Sequence, residues 1–159
     1  MRTWKKVLSV CLVMACVCTM ILPVQAAGKG YAFTYKKVTV YMDGNASKLL
    51  KKAGKPKSKT ESASCAYNGM DRTYKYNDFV VKTYSNSKKG TEYINSIELL
   101  SSKVSTKEGI KIGSSKNDVI KAYGKGKDNF GVYTYTKGKT KLMITIDNNK
   151  VSGIIYVAK

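Results

Sequence analysis

The chain has 159 residues, carries 29 basic and 10 acidic side chains, and contains no histidine, so its formal net charge is +19. Without histidine it lacks the commonest general base and most zinc ligand sets, and no HExxH, CxxC, GxSxG or phosphate-binding loop is present. We therefore expect a protein that is not an enzyme and uses no metal or cofactor. A serine-lysine dyad is the one catalytic alternative that the composition leaves open.

The first 26 residues are typical of a secretion signal. A basic start at residues 2–6 precedes an uncharged apolar run at 7–22, and residues 24–26 supply the small side chains that a signal peptidase reads. We expect cleavage after Ala26 and a secreted or cell-envelope-associated protein. A retained membrane anchor is an alternative, but the run of 16 residues is shorter than the about 20 that a spanning helix needs. Lipid attachment at Cys16 is a second alternative.

Cleavage changes both the cysteine count and the charge. The mature chain keeps only Cys65, so no intramolecular disulfide can form. We expect Cys65 to be a buried apolar residue in a strand, with an intermolecular bridge or a reactive thiol as alternatives. The signal holds three basic residues and no acid, which leaves 29 − 3 = 26 basic and 10 acidic side chains, a net charge of +16.

Arg72 is the only arginine of the mature chain, and the rest of the positive charge is lysine. Arginine is preferred where phosphates or base edges are read by paired hydrogen bonds, whereas lysine acts as a hydrated point charge. The composition therefore predicts diffuse attraction to an acidic extracytoplasmic protein or to an anionic envelope polymer, rather than to nucleic acid. Plain solubility is the alternative explanation.

Residues 27–37 are predicted to be an N-terminal tail that is loose over 27–30, and an extended stretch begins at Tyr31, with apolar residues that alternate as far as Met42. A first unit at 38–102 should hold a helix from Asn45 to Ala53, with Asn45 as its N-cap and Gly54 at its end. A polar span at 57–61 follows the helix. The strands expected after it lie at 62–67, 72–77, 79–84 and 93–101, the first two joined around Asn68-Gly69.

A second unit at 103–159 has clearer boundaries. Ser115 and Asp118 form a capping box, which predicts a helix over 116–123 that ends at Gly124. The strands expected after it lie at 131–136, 140–147 and 150–158, with turns at Lys137-Gly138 and Asn148-Asn149.

The two helical segments repeat each other at a constant offset of 70. Leu49, Gly54 and Lys55 in the first segment match residues 119, 124 and 125 in the second. Because one such unit buries little apolar surface, we expect the two to share a core. The predicted fold is α+β, a monomer of two tandem helix-plus-antiparallel-sheet repeats.

The second helical segment also carries a resemblance. Residues 113–124 read G-x-[ST]-x-x-x-V-x-x-x-x-G, which resembles the repeat signature of the β-lactamase inhibitory protein family and of a related small outer-membrane assembly lipoprotein. The resemblance implies helix-then-sheet units and, as an alternative function, inhibition of a β-lactamase or another secreted enzyme. The disulfides of that inhibitor have no counterpart in a mature chain with one cysteine. The residues placed in this structural motif are Asn45, Gly54, Gly113, Ser115, Val119 and Gly124.

With catalysis disfavoured, we expect a binding module that recognises an acidic protein through an exposed, tyrosine- and lysine-rich sheet face. A lysine-mediated tether to an anionic envelope polymer is the alternative, and ordinary cross-strand packing is the alternative for each tyrosine. The resemblance adds one acid in a hairpin, for which an ordinary turn role is the alternative. The candidate binding residues are Tyr74, Tyr76, Asp78, Lys82, Tyr84, Tyr133, Tyr135 and Lys141.

Overall fold

The computed structural model describes residues 30–65 and 68–159, which form two helices and ten strands. In chain order these are β1 (Ala32–Tyr35), β2 (Val38–Tyr41), α1 (Ser47–Ala53), β3 (Ser58–Ala63), β4 (Met70–Lys75), β5 (Phe79–Ser85), β6 (Tyr93–Leu99), α2 (Lys116–Tyr123), β7 (Lys127–Asn129), β8 (Val132–Lys137), β9 (Thr140–Asp147) and β10 (Lys150–Ala158). The expected signal sequence at 1–26 lies outside the described residues. None of the helices within them is long and apolar enough to cross a membrane.

The strands after β2 form one continuous antiparallel sheet in the order β3-β4-β5-β6-β10-β9-β8-β7, while β1 and β2 form a separate hairpin. The molecule is mostly β, with 48% strand and 12% helix, so the predicted α+β fold of two helix-plus-sheet repeats is wrong. The reason is the direct pairing of β6 with β10, in which Ile154 lies opposite Leu99 and Tyr156 opposite Ile97. This pairing places both strands at the centre of one sheet and removes two apolar edges.

The backbone just before each helix nevertheless has the same hydrogen bond and the same kind of turn. The Asp43 N–H donates to the Ile94 carbonyl at 2.8 Å, and the Gly113 N–H donates to the Val151 carbonyl at 2.8 Å. Asp43 and Gly113 both have positive φ, 62° and 90°. The offset of 70 thus identifies equivalent local structure around each helix, although the strands that follow belong to one shared sheet.

The helix α2 has the predicted bounds and the predicted cap. Ser115 Oγ accepts a hydrogen bond from the Asp118 N–H at 3.1 Å, and the Asp118 carboxylate accepts from the Ser115 N–H at 3.2 Å. These two bonds complete a capping box. They also hold the pKa of the Asp118 carboxyl below its usual range.

The start of α1 differs from the prediction by one residue. The N-cap position is Ala46, and Asn45 stands before it, where its Oδ1 accepts from the Ser47 N–H at 2.8 Å. The predicted helix end is confirmed, since Gly54 has φ 80° and its N–H donates to the Leu50 carbonyl.

The core lies on one face of the large sheet, which we call the inner face. The β1–β2 hairpin and both helices cover it, and the Phe33 ring lies 5.4 Å from that of Phe79 and 6.1 Å from that of Tyr156. β1 lies within the stretch expected as the N-terminal tail at 27–37, and its Phe33 is completely buried, so residues 32–35 pack into the core. The largest fully buried side chains are Phe33, Leu49, Phe79, Val81, Ile94, Ile97, Leu99, Val119, Leu142, Ile144, Ile154 and Tyr156.

The two edge strands, β3 and β7, have only exposed residues. The polar span expected at 57–61 is therefore largely strand, since β3 begins at Ser58. Short polar edges of this kind resist pairing with other chains. Beyond β3 lies Cys65, which is exposed, so the prediction of a buried cysteine within a strand is wrong.

Candidate functional site

Four of the five tyrosines predicted to form an exposed binding surface lie on the inner face instead. Tyr74, Tyr76 and Tyr133 are each 8% exposed and Tyr135 is 6% exposed. Their register explains this placement, since Tyr133 lies opposite Ile144 and Tyr135 opposite the buried Leu142. Side chains directly opposite each other on neighbouring strands point to the same side of a sheet, so these rings belong to the core.

The hydroxyl groups of these tyrosines serve the fold. Tyr74 Oη donates to the Glu92 carboxylate at 2.8 and 2.9 Å, and Tyr135 Oη donates to the Gly124 carbonyl at 3.2 Å. Burial, followed by the Glu92 carboxylate, raises the pKa of Tyr74, and burial raises that of Tyr135. Tyr74 and Tyr135 are therefore structural, because their hydroxyl groups are hydrogen-bonded and their rings are covered.

The opposite face of the sheet, which we call the outer face, carries Lys82, Tyr84 and Lys141. Lys82 lies opposite Ser96 on β6, Ser96 opposite Val157 on β10, and Val157 opposite Lys141 on β9. Both lysines are exposed and lie in one row across the sheet, three strand spacings or about 14 Å apart. The structure thus brings together three of the eight predicted binding residues.

An apolar strip crosses the middle of the outer face. Val80 lies opposite Glu98, Glu98 opposite Ile155, and Ile155 opposite Met143. Val157 lies in the next row, and of these apolar residues only Val80 is buried. The charged residues of this face are the basic Lys75, Lys82, Lys127, Lys141 and Lys150 and the acidic Asp71, Glu98 and Asp147.

Within residues 30–65 and 68–159, no helix or second strand layer packs over this strip. Met143, Ile155 and Val157 keep partial exposure, and the lysines beside them are exposed. The alternation along β9 indicates an open face, but Val80, Ile155 and Val157 are not predicted to lie on it. They belong to apolar runs in β5 and β10, where both sides of the strand are apolar, so periodicity does not separate the faces.

Tyr84 marks one end of the outer face. Its ring lies 5.6 Å from that of Tyr93, and its Oη donates to Asp43 Oδ1 at 3.1 Å. The two aspartates Asp43 and Asp71 line, with Tyr84, a pocket of about 380 Å³. Tyr84 is thus held in place and only partly exposed, as a side chain at the rim of an interface would be.

Asp78 and Tyr76 lie elsewhere, in a cleft of about 140 Å³ beyond the end of α1. Tyr35 and two lysines, Lys55 and Lys57, line the same cleft. The Asp78 carboxylate accepts a hydrogen bond from Ser101 Oγ at 2.7 Å. Asp78 therefore fastens the β4–β5 turn to the end of β6, which is the ordinary turn role.

Arg72 has a structural role that the sequence did not predict. The sequence showed only that it is the single arginine of the mature chain. It is 8% exposed, its Nη1 donates to Ser85 Oγ at 3.0 Å, and its Nη2 donates to the Lys88 carbonyl at 2.7 Å. Its Nε contacts Glu61 Oε2 at 3.2 Å and Glu92 Oε1 at 3.8 Å. The exposed positive charge of the described residues is accordingly all lysine.

Metal binding finds no support in the described part of the chain, where no three or more histidine, cysteine, aspartate or glutamate side chains are grouped closely enough to hold an ion. The outer face has lysine ammonium groups, Tyr84 at its rim and apolar side chains at its centre. This arrangement can bind a complementary surface by contact and charge.

Comparison with known proteins found no matching family model, no matching curated protein and no matching solved structure. The resemblance to the β-lactamase inhibitory protein family therefore stays a prediction, which a titration of a β-lactamase with micromolar protein would test.

Proposed function

We propose that this protein is a non-catalytic binding module that works outside the cytoplasm and docks an acidic protein on its outer face. The observation that carries the proposal is the apolar strip of the outer face, in which Met143, Ile155 and Val157 are partly exposed and flanked by lysines, while Val80 at its end is buried next to Glu98. Open apolar strips with a polar rim are typical of protein interfaces.

The size of the outer face suits a protein partner. Seven strand spacings make the sheet about 34 Å wide, and strands of about six residues make it about 20 Å long. The product, about 680 Å², is close to the roughly 800 Å² that each partner buries in a standard interface.

Charge specifies the chemistry of the partner. The face holds five lysines against three acids, and the described residues as a whole hold 25 basic and 10 acidic side chains, a net charge of +15. Carboxylates on the partner would pair with Lys82 and Lys141 around the apolar strip. Such pairs act mainly on the rate of encounter and on specificity, while the buried apolar contact determines residence time.

The test is a capture experiment with matched variants of the mature protein, residues 27–159. Immobilised wild type, a Lys82→Glu/Lys141→Glu variant and a Lys103→Glu/Lys107→Glu control are exposed to secreted and envelope fractions at low and high salt. Lys103 and Lys107 are exposed lysines outside the sheet, so the control changes the net charge equally. We expect a protein that wild type and control retain at both salt levels and that the outer-face variant retains less, most clearly at low salt, where the lysines speed the encounter. Equal retention by all three forms would exclude the outer face as the docking surface.

A further inference from the structure

The lysines are densest on and beside α1. Residues 36–59 contain eight lysines and one acid, Asp43. All eight lysines are exposed. We call the five on α1 and directly after it the lysine face: Lys48, Lys51, Lys52, Lys55 and Lys57.

The lysine face points away from the core. Leu49 is completely buried, and Leu50 and Ala53 pack against the core cluster, so the lysines occupy the solvent side of the helix. Because α1 covers the inner face of the sheet, the lysine face and the outer face lie on opposite sides of the molecule. A ligand bound at one of them leaves the other open.

The second helix provides an internal comparison. At an offset of 70, Asp118 and Ala122 of α2 stand where α1 has Lys48 and Lys52. The two helices are entered by equivalent backbone hydrogen bonds and end at equivalent glycines, so the structural demands on both are similar. The lysines at 48 and 52 are therefore not required by the way in which the helix packs.

Lys48 also runs against the local electrostatics of its helix. It lies in the first turn of α1, where the helix dipole favours a negative side chain, and that turn contains no acid. Lys51 and Lys52 lie in the last turn, where the dipole favours them. The dipole therefore accounts for Lys51 and Lys52 but disfavours Lys48.

The cleft beyond α1 extends this surface. Tyr35 and Tyr76 lie on either side of Phe79, with ring centres 4.8 and 4.9 Å from it, and the Lys36 ammonium lies 5.1 Å from the centre of the Tyr35 ring. Lys55 and Lys57 line the cleft. Positive charge thus continues from α1 to the β1–β2 turn.

We propose that the lysine face binds a linear anionic polymer, a chain of repeated phosphate or carboxylate groups. Five exposed ammonium groups without an exposed arginine suit a repeating anion that is held by charge rather than by paired hydrogen bonds. An anionic membrane surface is a different partner, and it is disfavoured because the apolar side of α1 is used in the core and cannot insert between lipids.

The test uses the variant Lys48→Asp/Lys52→Ala, which gives α1 the residues that α2 carries at those positions. The control is Lys103→Asp/Lys107→Ala, with the same change in net charge at exposed loop positions. Polyphosphate, an alginate oligomer and vesicles of an anionic phospholipid serve as probes for the full mature chain. A thermal midpoint confirms that both variants fold.

We expect both polymers to bind the wild type and the control, with affinity that falls steeply with salt. The α1 variant should bind roughly tenfold more weakly. Its plot of log K against log salt should be less steep by about 2, one for each lost lysine contact. The Lys82→Glu/Lys141→Glu variant should keep polymer binding, which separates this proposal from docking on the outer face.

Three results would overturn it. An equal loss of polymer affinity in the α1 variant and in the control would show that net charge alone causes the attraction. Binding of the vesicles without binding of either polymer would assign the surface to a membrane. Absence of any binding at low salt would leave the lysine face without an anionic partner.

Discussion

Gly124 shows how one residue ends a helix in this protein. Its φ of 78° and ψ of −168° lie in a region that is almost reserved for glycine, and Gly54 at the end of α1 has a similar conformation, with φ 80° and ψ −151°. No atom lies within 4 Å of where a Cβ would stand on either residue. Any cost of a side chain at these positions therefore arises from the backbone and not from a clash.

Replacing Gly124 with valine is expected to lower the free energy of unfolding by about 1 to 2 kcal/mol, because a β-branched residue strongly resists positive φ. Urea denaturation measures the effect, and the m-value should stay unchanged. Gly54→Val should behave alike. A denaturation midpoint equal to that of the wild type would contradict the helix end described above.

Replacing Arg72 with methionine is expected to cost about 2 to 3 kcal/mol, since it leaves the half-buried Glu92 carboxylate without its cation and Ser85 without a donor. Glu92 would retain the hydrogen bonds from Tyr74 and Thr83. Adding Glu92→Gln should therefore recover part of the loss. If Arg72→Met has the same urea denaturation midpoint as the wild type, the hydrogen bonds and ion pairs of Arg72 contribute nothing to stability.

At the scale of elements, local signals predicted some segments and failed for others. The bounds of α2, β9 and β10 agree with the sequence prediction, because a capping box and the Asn148-Asn149 turn limit them. The β1–β2 hairpin turns at Lys36 and Lys37, with φ 45° and 68°, and lysine gives no turn signal there. The strand β7 has no apolar residue and β3 has only Ala63, so no alternation indicates them.

The capping box of α2 predicts a pH-dependent stability. Hydrogen bonds from Ser115 hold the pKa of Asp118 below its unfolded value of about 3.9, so the carboxylate form stabilises the fold. This contribution is complete above the unfolded pKa and is lost as the pH falls through the folded one. The difference in unfolding free energy between wild type and Asp118→Asn should accordingly be largest near neutral pH and shrink below about pH 4.

Ser115→Ala removes the other half of the box and is expected to cost about 1 kcal/mol at neutral pH. Urea denaturation at a series of pH values measures both variants. A constant difference from pH 7 to pH 3 would contradict the linkage, because the carboxylate would then not be the stabilising form.

At the scale of the whole molecule, the two faces of the sheet carry different kinds of side chain. The inner face buries the aromatic side chains that the sequence suggested for binding, and the outer face keeps Lys82, Lys141 and Tyr84 beside an apolar strip. Under the proposed function, a substitution on the inner face should affect stability and one on the outer face should affect binding.

For a protein partner of the outer face, Lys82→Glu/Lys141→Glu is expected to slow association and to flatten its dependence on salt, because these lysines steer the encounter. Tyr84→Ala should chiefly speed dissociation, since it removes contact area. Stopped-flow or surface-based kinetics at two salt concentrations separate the two effects.

The buried Tyr135 provides the contrast. Tyr135→Ala is expected to lower stability by about 3 kcal/mol through the cavity it leaves, and binding by the folded fraction should stay unchanged. The wrong face has been assigned if none of the outer-face substitutions changes the affinity. The same conclusion follows if Tyr135→Ala changes the affinity of a fully folded sample.

The amino-acid sequence by itself determined the local features: the capped helix α2, the glycines that end both helices, the turn at residues 148–149, and a positive charge built from lysine. These depend on steric and hydrogen-bonding preferences of residues close in the chain. Tertiary structure decided the rest. The pairing of Leu99 with Ile154 joins all eight strands into one sheet, and that sheet determines which side is covered. Tyrosine can lie on either face of a strand, so only contacts between residues distant in sequence could place these rings in the core and bring Lys82 and Lys141 into one row.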